Sequence, residues 1–228
     1  MENNGIQKIN EIYKFADNRD KLIKVISYLS KLISIYYKNK NKNLANSFLT
    51  LYLTTFTSRK VFNLFRSFFE PNIFTLFSEL HSKKYLDTNN KYQIILNITQ
   101  QISTFFFFIF DNLELFFQIN FFSSNNKGIL ISCFANFFHI ILIVTKIINN
   151  IEKIYNLILS KSSFSKEKEY KLKLIRLLIV LSGNVLDLIT IFNKSKIIKF
   201  IFGKNLNETL ICLSGIWSGI VSLYNTIF

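Results

Sequence analysis

The chain has 228 residues, half of them apolar, with a mean hydropathy of +0.26 and a formal net charge of +14. Six glycines and one proline are too few for the tight turns that strands need, which excludes an all-β fold. A chain that is both this apolar and this basic points to a membrane before it points to nucleic acid, and no nucleic-acid partner is expected. Lys, Asn, Ile, Phe and Tyr all have A/T-rich codons, so the position of these residues carries more than their abundance.

Residues 1–17 are weakly periodic through Ile6, Ile9, Ile12, Tyr13 and Phe15, consistent with a short helix. The stretch Met1–Asn10 has no apolar run of the kind a secretory signal carries. Arg19–Lys38 is a clearer amphipathic helix. Leu22, Val25, Ile26, Leu29, Leu32, Ile33 and Tyr36 form one face, and Asp20, Lys24, Ser27, Lys31, Ser34 and Lys38 the other. Asp17 or Asn18 is placed to cap its start. The polar run Lys38–Asn43 reads as a turn. A second helix starts near Leu44, with Phe48, Leu49, Tyr52, Leu53 and Phe56 apolar and Thr50, Thr54, Thr57 and Ser58 opposite. Past Ser58 the apolar arc has rotated by more than a quarter turn. Either the helix kinks around Thr54–Ser58 or its halves meet different surroundings.

Arg59–Glu70 is the most ordered pattern in the chain. Val61, Phe62, Leu64, Phe65, Phe68 and Phe69 fall on one arc of a helix, and Arg59, Lys60, Asn63, Arg66, Ser67 and Glu70 on the other. Aromatic rings opposite basic heads suit a helix lying in a membrane interface. The rings would enter the acyl boundary while each cation contributes about 1 kcal/mol against anionic headgroups. The candidate membrane-binding residues are therefore Arg59, Lys60, Val61, Phe62, Leu64, Phe65, Arg66, Phe68 and Phe69. Pro71 ends the helix at Glu70. Periodicity alone favours a soluble helix that packs its phenylalanines into a core, and the rest of the chain has to decide.

Asn72–Leu86 is a short amphipathic piece that ends in a polar linker, which places a boundary near residue 90. Beyond it the pattern changes. Tyr92–Phe110, Gly128–Thr145 and Thr209–Phe228 carry no charge over 19, 18 and 20 residues, and about 20 mainly apolar residues cross a bilayer. A fourth run, Leu177–Phe192, is broken by Asp187; a core helix stays an alternative for each of the four runs and is strongest for this one. Of the 28 Lys and Arg, 15 lie in residues 1–91 and 12 in residues 146–204. The positive-inside rule then gives a hairpin with both basic regions in the cytosol, plus a third span or re-entrant tail at Thr209–Phe228. Gly215 and Gly219 have the GxxxG spacing that lets two helices approach closely, in self-association or within one chain.

The chemistry of an enzyme is missing. There is no Gly-rich phosphate loop, HExxH, paired-cysteine metal site or nucleophile elbow. No catalytic, cofactor-binding or metal-binding residues are assigned, and no enzyme is expected. Cys133 and Cys212 each sit in an apolar run and read as small buried hydrophobes. Asp111 and Glu114, three apart, read as a solvated helix end. Asn97, Gln100, Gln101, Asn136, Asn184 and Asp187 are the polar groups that a channel for small metabolites would need, which is the alternative function.

Four stretches in order carry a resemblance. They are residues 14–32 (KFADNRDKLIKVISYLSKL), Ser58–Arg66 (SRKVFNLFR), residues 174–192 (LIRLLIVLSGNVLDLITIF) and Gly215–Asn225 (GIWSGIVSLYN). Together they resemble the peroxisomal biogenesis factor 11 (peroxin 11) family from about Lys14 to Tyr224. Asn18 stands where that family usually has Gly, and Asn63 replaces an Arg. The middle of the chain matches only in hydropathy. The resemblance implies a protein of the peroxisomal membrane that elongates and tubulates it before peroxisome fission. It also implies insertion of an amphipathic helix into the cytosolic leaflet, self-association into a homo-oligomer, and recruitment of a dynamin-type GTPase with its membrane adaptors. The expected fold is all-α, a membrane-associated helical protein. Amphipathic helices facing the cytosol make up residues 1–90, and hydrophobic membrane helices make up residues 91–228. Peroxisomal membrane lipids are the expected partner, and no cofactor is implied.

Overall fold

A computed structural model of the chain describes residues 2–63, 91–122, 125–160 and 167–227. These form seven helices, with no strand among the described residues: α1 (Glu2–Tyr37), α2 (Lys42–Phe62), α3 (Lys91–Gln118), α4 (Asn125–Leu159), α5 (Glu167–Lys194), α6 (Ile197–Phe202) and α7 (Glu208–Ile227). The all-α expectation holds, and among the described residues three helices are long and apolar enough to cross a membrane. Packing divides the chain into two units. One comprises residues 1–63 with 206–228, and the other residues 64–205. α7 is packed with the N-terminal helices.

In the first unit α1 runs unbroken through the point where a cap was expected. Asp17 pairs with Lys21 one turn on, at 2.5 Å, so the carboxylate supports the helix from within instead of starting it. The turn at Lys38–Asn41 is as expected, and Asn41 caps α2 by accepting from the Leu44 backbone N–H at 3.1 Å. α2 returns antiparallel to α1. Ser34 near the end of α1 donates to the Ala45 carbonyl at 2.8 Å, and Asp20, four turns earlier, meets Arg59. α2 is continuous through Thr54–Ser58.

α7 lies antiparallel on α1 at very close range. A Cβ added to Gly215 would come within 2.5 Å of the Tyr28 ring, and one added to Gly219 within 2.7 Å of Val25 Cγ2. Glycine is required at both positions by this approach, and the GxxxG pair thus sits against a helix of its own chain. The buried residues of the unit are mostly small: Ser27, Ser30, Ser34, Ala45, Cys212, Ser214 and Ser218.

In the second unit α3 and α4 form an antiparallel hairpin with steady register. Gln93 donates to Glu152 at 2.9 Å at one end. Phe107 stacks on His139 at 4.3 Å and Phe110 on Phe134 at 5.2 Å in the middle. Ser132 donates to Glu114 at 2.8 Å near the other end. The chain leaves α3 through Asn120, whose φ of 56° is left-handed, a conformation that Asn tolerates better than most residues. α5 packs on α4. Its first turn is polar, with Glu167–Lys171 and Glu169–Lys173 pairs at 2.8 and 2.9 Å. The three helices of span length are α3, α4 and α5. The run Leu177–Phe192 therefore belongs to a helix of span length despite Asp187, and most of its apolar window is unburied.

Candidate membrane-binding site

α2 ends at Phe62, where Asn63 adopts φ −89° and ψ 1° and its N–H reaches back to Arg59 and Val61. Of the nine residues assigned to the membrane-binding stretch, Leu64, Phe65, Arg66, Phe68 and Phe69 lie outside the described residues, and the side chain of Phe62 does too. The structure places Arg59, Lys60 and Val61.

Arg59 is held by Asp20 of α1 through two parallel hydrogen bonds, Nε to Oδ1 and Nη2 to Oδ2, both 3.0 Å. Asn63 Nδ2 donates to the same Asp20 Oδ1 at 3.0 Å. This forked pairing is the strongest geometry a carboxylate and a guanidinium can form. Lys60 is 5% exposed, with its ammonium 5.8 Å from the Phe56 ring centroid. Arg59 is thus paired with Asp20, and Lys60 is buried. Val61 is 52% exposed. The change of stripe past Ser58 has a physical origin here. The side of α2 that faces α1 stays in place but changes from apolar (Phe48, Tyr52, Phe56) to polar (Arg59, Asn63), because Asp20 is there to receive it.

The polar groups considered for a channel are spread over α3, α4 and α5 in unlike surroundings. Asn97 is exposed, Gln100, Gln101, Asn184 and Asp187 are half-buried, and Asn136 is 7% exposed. Asp111 and Glu114 are not a solvated helix end. They are 9% and 7% exposed, and Glu114 takes the Ser132 hydroxyl while facing Lys194 at 3.7 Å. One carboxylate thereby bears on all three span-length helices, a pairing that sequence separation concealed. Cys212 is fully buried, but Cys133 is exposed, which corrects the expectation for that residue. Among the described residues no group of three or more His, Cys, Asp or Glu is placed to hold a metal ion.

The model of the peroxisomal biogenesis factor 11 family matches residues 7–227. The chain belongs to that family. As a member of the peroxisomal biogenesis factor 11 family it is a peroxisome biogenesis factor, and its three helices of span length fit association with the peroxisomal membrane. The family is not one of enzymes. Searches of curated proteins and of solved structures return no match.

Proposed function

We propose that the chain elongates the peroxisomal membrane ahead of fission, by inserting the apolar arc Val61–Phe69 into the cytosolic leaflet and by assembling with other copies of itself. The family match over residues 7–227 is the observation that carries this reading. The exposure of Val61 supports it, since in the sequence pattern Val61 is the first residue of the arc that Phe62, Leu64, Phe65, Phe68 and Phe69 continue. A wedge of rings in one leaflet expands that leaflet relative to the other, and a membrane bends to relieve the difference. Arg66 belongs to the same stretch, and its cation would meet anionic headgroups. A dynamin-type GTPase and its adaptors would act on the membrane so drawn out.

The test is peroxisome shape in cells that express the full chain. The wild-type protein should yield elongated peroxisomes. Phe62→Asp with Phe65→Asp, which places two charges in the arc, should leave them round at equal protein level. Equal elongation by both proteins would refute the insertion reading.

A further inference from the structure

We infer that the first unit, α1 with α2 and α7, is itself embedded in the bilayer and presents its outer apolar faces to lipid acyl chains, in place of standing in the cytosol as a soluble helical domain. This does not rest on the elongation reading; it concerns α2 before Val61 and the outward side of α7.

Four observations converge. The first is that the unit is sorted inside out. Its interior holds Ser27, Ser30, Ser34, Cys212, Ser218 and the two glycines, while Leu22, Leu29, Leu53, Leu210, Leu213 and Trp217 are each about half exposed. In water that arrangement forgoes the burial of large side chains that stabilises a soluble domain. In hydrocarbon it is the expected one, because helices there associate by close approach of small residues and gain nothing by hiding leucine from lipid.

The second observation is the placement of charge. α2 carries no charged residue from Asn43 to Ser58, about 24 Å of helix, and α7 carries none beyond Glu208. The charges gather at the two ends. At one end are the Asp17–Lys21 pair and the Asp20–Arg59 pair. At the other are Lys38, Lys40, Lys42 and Glu208. Two lysines of α1 lie between. Lys24 stands one turn inside the Asp17–Lys21 pair, within the reach of a long side chain to an interface. Lys31 has its ammonium 5.5 Å over the Tyr52 ring, an attraction that strengthens when water is absent.

The third observation is that the hydroxyls on the outside of α2 need no water. Ser47, Thr50, Thr54, Thr57 and Ser58 each donate to the carbonyl four residues earlier, at 2.7 to 3.1 Å. A lipid-facing helix has to satisfy its polar groups within itself. The fourth is the surface itself: Leu49, Leu53 and Val61 of α2 and Leu210, Leu213, Trp217 and Ile220 of α7 are all at least two-fifths exposed.

The chain has a single tryptophan, Trp217, 45% exposed on the outward side of α7, and it serves as a native probe. The full chain is reconstituted into vesicles whose lipids carry bromine on the acyl chains, and separately exposed to acrylamide in the aqueous phase. α2 is read in the same way with Trp217→Phe combined with Leu53→Trp, and again with Trp217→Phe combined with Leu49→Trp, both substitutions at exposed positions. The expected result is loss of most of the emission to brominated chains at all three positions, with little loss to acrylamide. Quenching of either α2 position by acrylamide and not by bromine would overturn the inference and put that face in water. Failure of both quenchers at the α2 positions would overturn it too, assigning the face to a second copy or another protein.

Discussion

The helices of the two units are fastened by different devices. In the first unit the close contact is backbone against side chain: Gly215 and Gly219 of α7 let Tyr28 and Val25 of α1 lie where their own Cβ atoms would be. In the second unit the contact between α3 and α4 is ring on ring, with Phe106, Phe107 and Phe110 against Phe134, Phe138 and His139 at 4.3 to 5.7 Å. A glycine contact has no tolerance for added volume. A ladder of rings spreads its contact over several residues and can slide by a fraction of an ångström. The two units of one chain should therefore respond differently to the same chemical change.

Glycine-to-alanine exchange makes the contrast measurable. The largest effect is expected for Gly215→Ala. Its new methyl would stand 2.5 Å from Tyr28, an overpacking that costs about 3 kcal/mol, offset by about 1 kcal/mol of helix propensity. The net loss should appear as a lower thermal midpoint in micelles and as faster proteolysis of α7. If Gly215→Ala is neutral, α7 does not lie on α1 as described. Gly128→Ala in α4 should do little. Its methyl would meet Phe117 at 3.3 Å, a contact that a few tenths of an ångström relieves, and the gain in helix propensity is of similar size. A loss as large as that of Gly215→Ala would show that the ring ladder is as intolerant as the glycine contact, and the comparison would fail.

Much of this architecture was legible in the amino-acid pattern. The charge-free runs marked α3 and α4, the polar run at Lys38–Asn43 marked the turn into α2, and scarcity of Gly and Pro excluded strands. What hydropathy could not reveal is the partner of a helix whose contact face is made of Ser, Gly and Cys. Such residues look the same whether they face lipid, water or another helix. The place of Thr209–Phe228 on α1 is therefore not visible in its hydropathy. The pairing of Asp20 with Arg59, 39 residues apart, was equally invisible. It turns Arg59 of the candidate site, and its neighbour Asn63, toward protein. A polar arc on a helical wheel can face a buried carboxylate as well as a headgroup.

Elongation of the membrane by the chain itself is the central claim, and it is tested most directly with no other protein present. The purified full chain is added to spherical anionic vesicles and their shape is recorded by electron microscopy. The account predicts that vesicles are drawn into tubules by the wild-type protein and remain spherical with Phe62→Asp and Phe65→Asp. Vesicles that stay spherical with the wild-type protein bound, or that tubulate equally with the doubly substituted one, would contradict it.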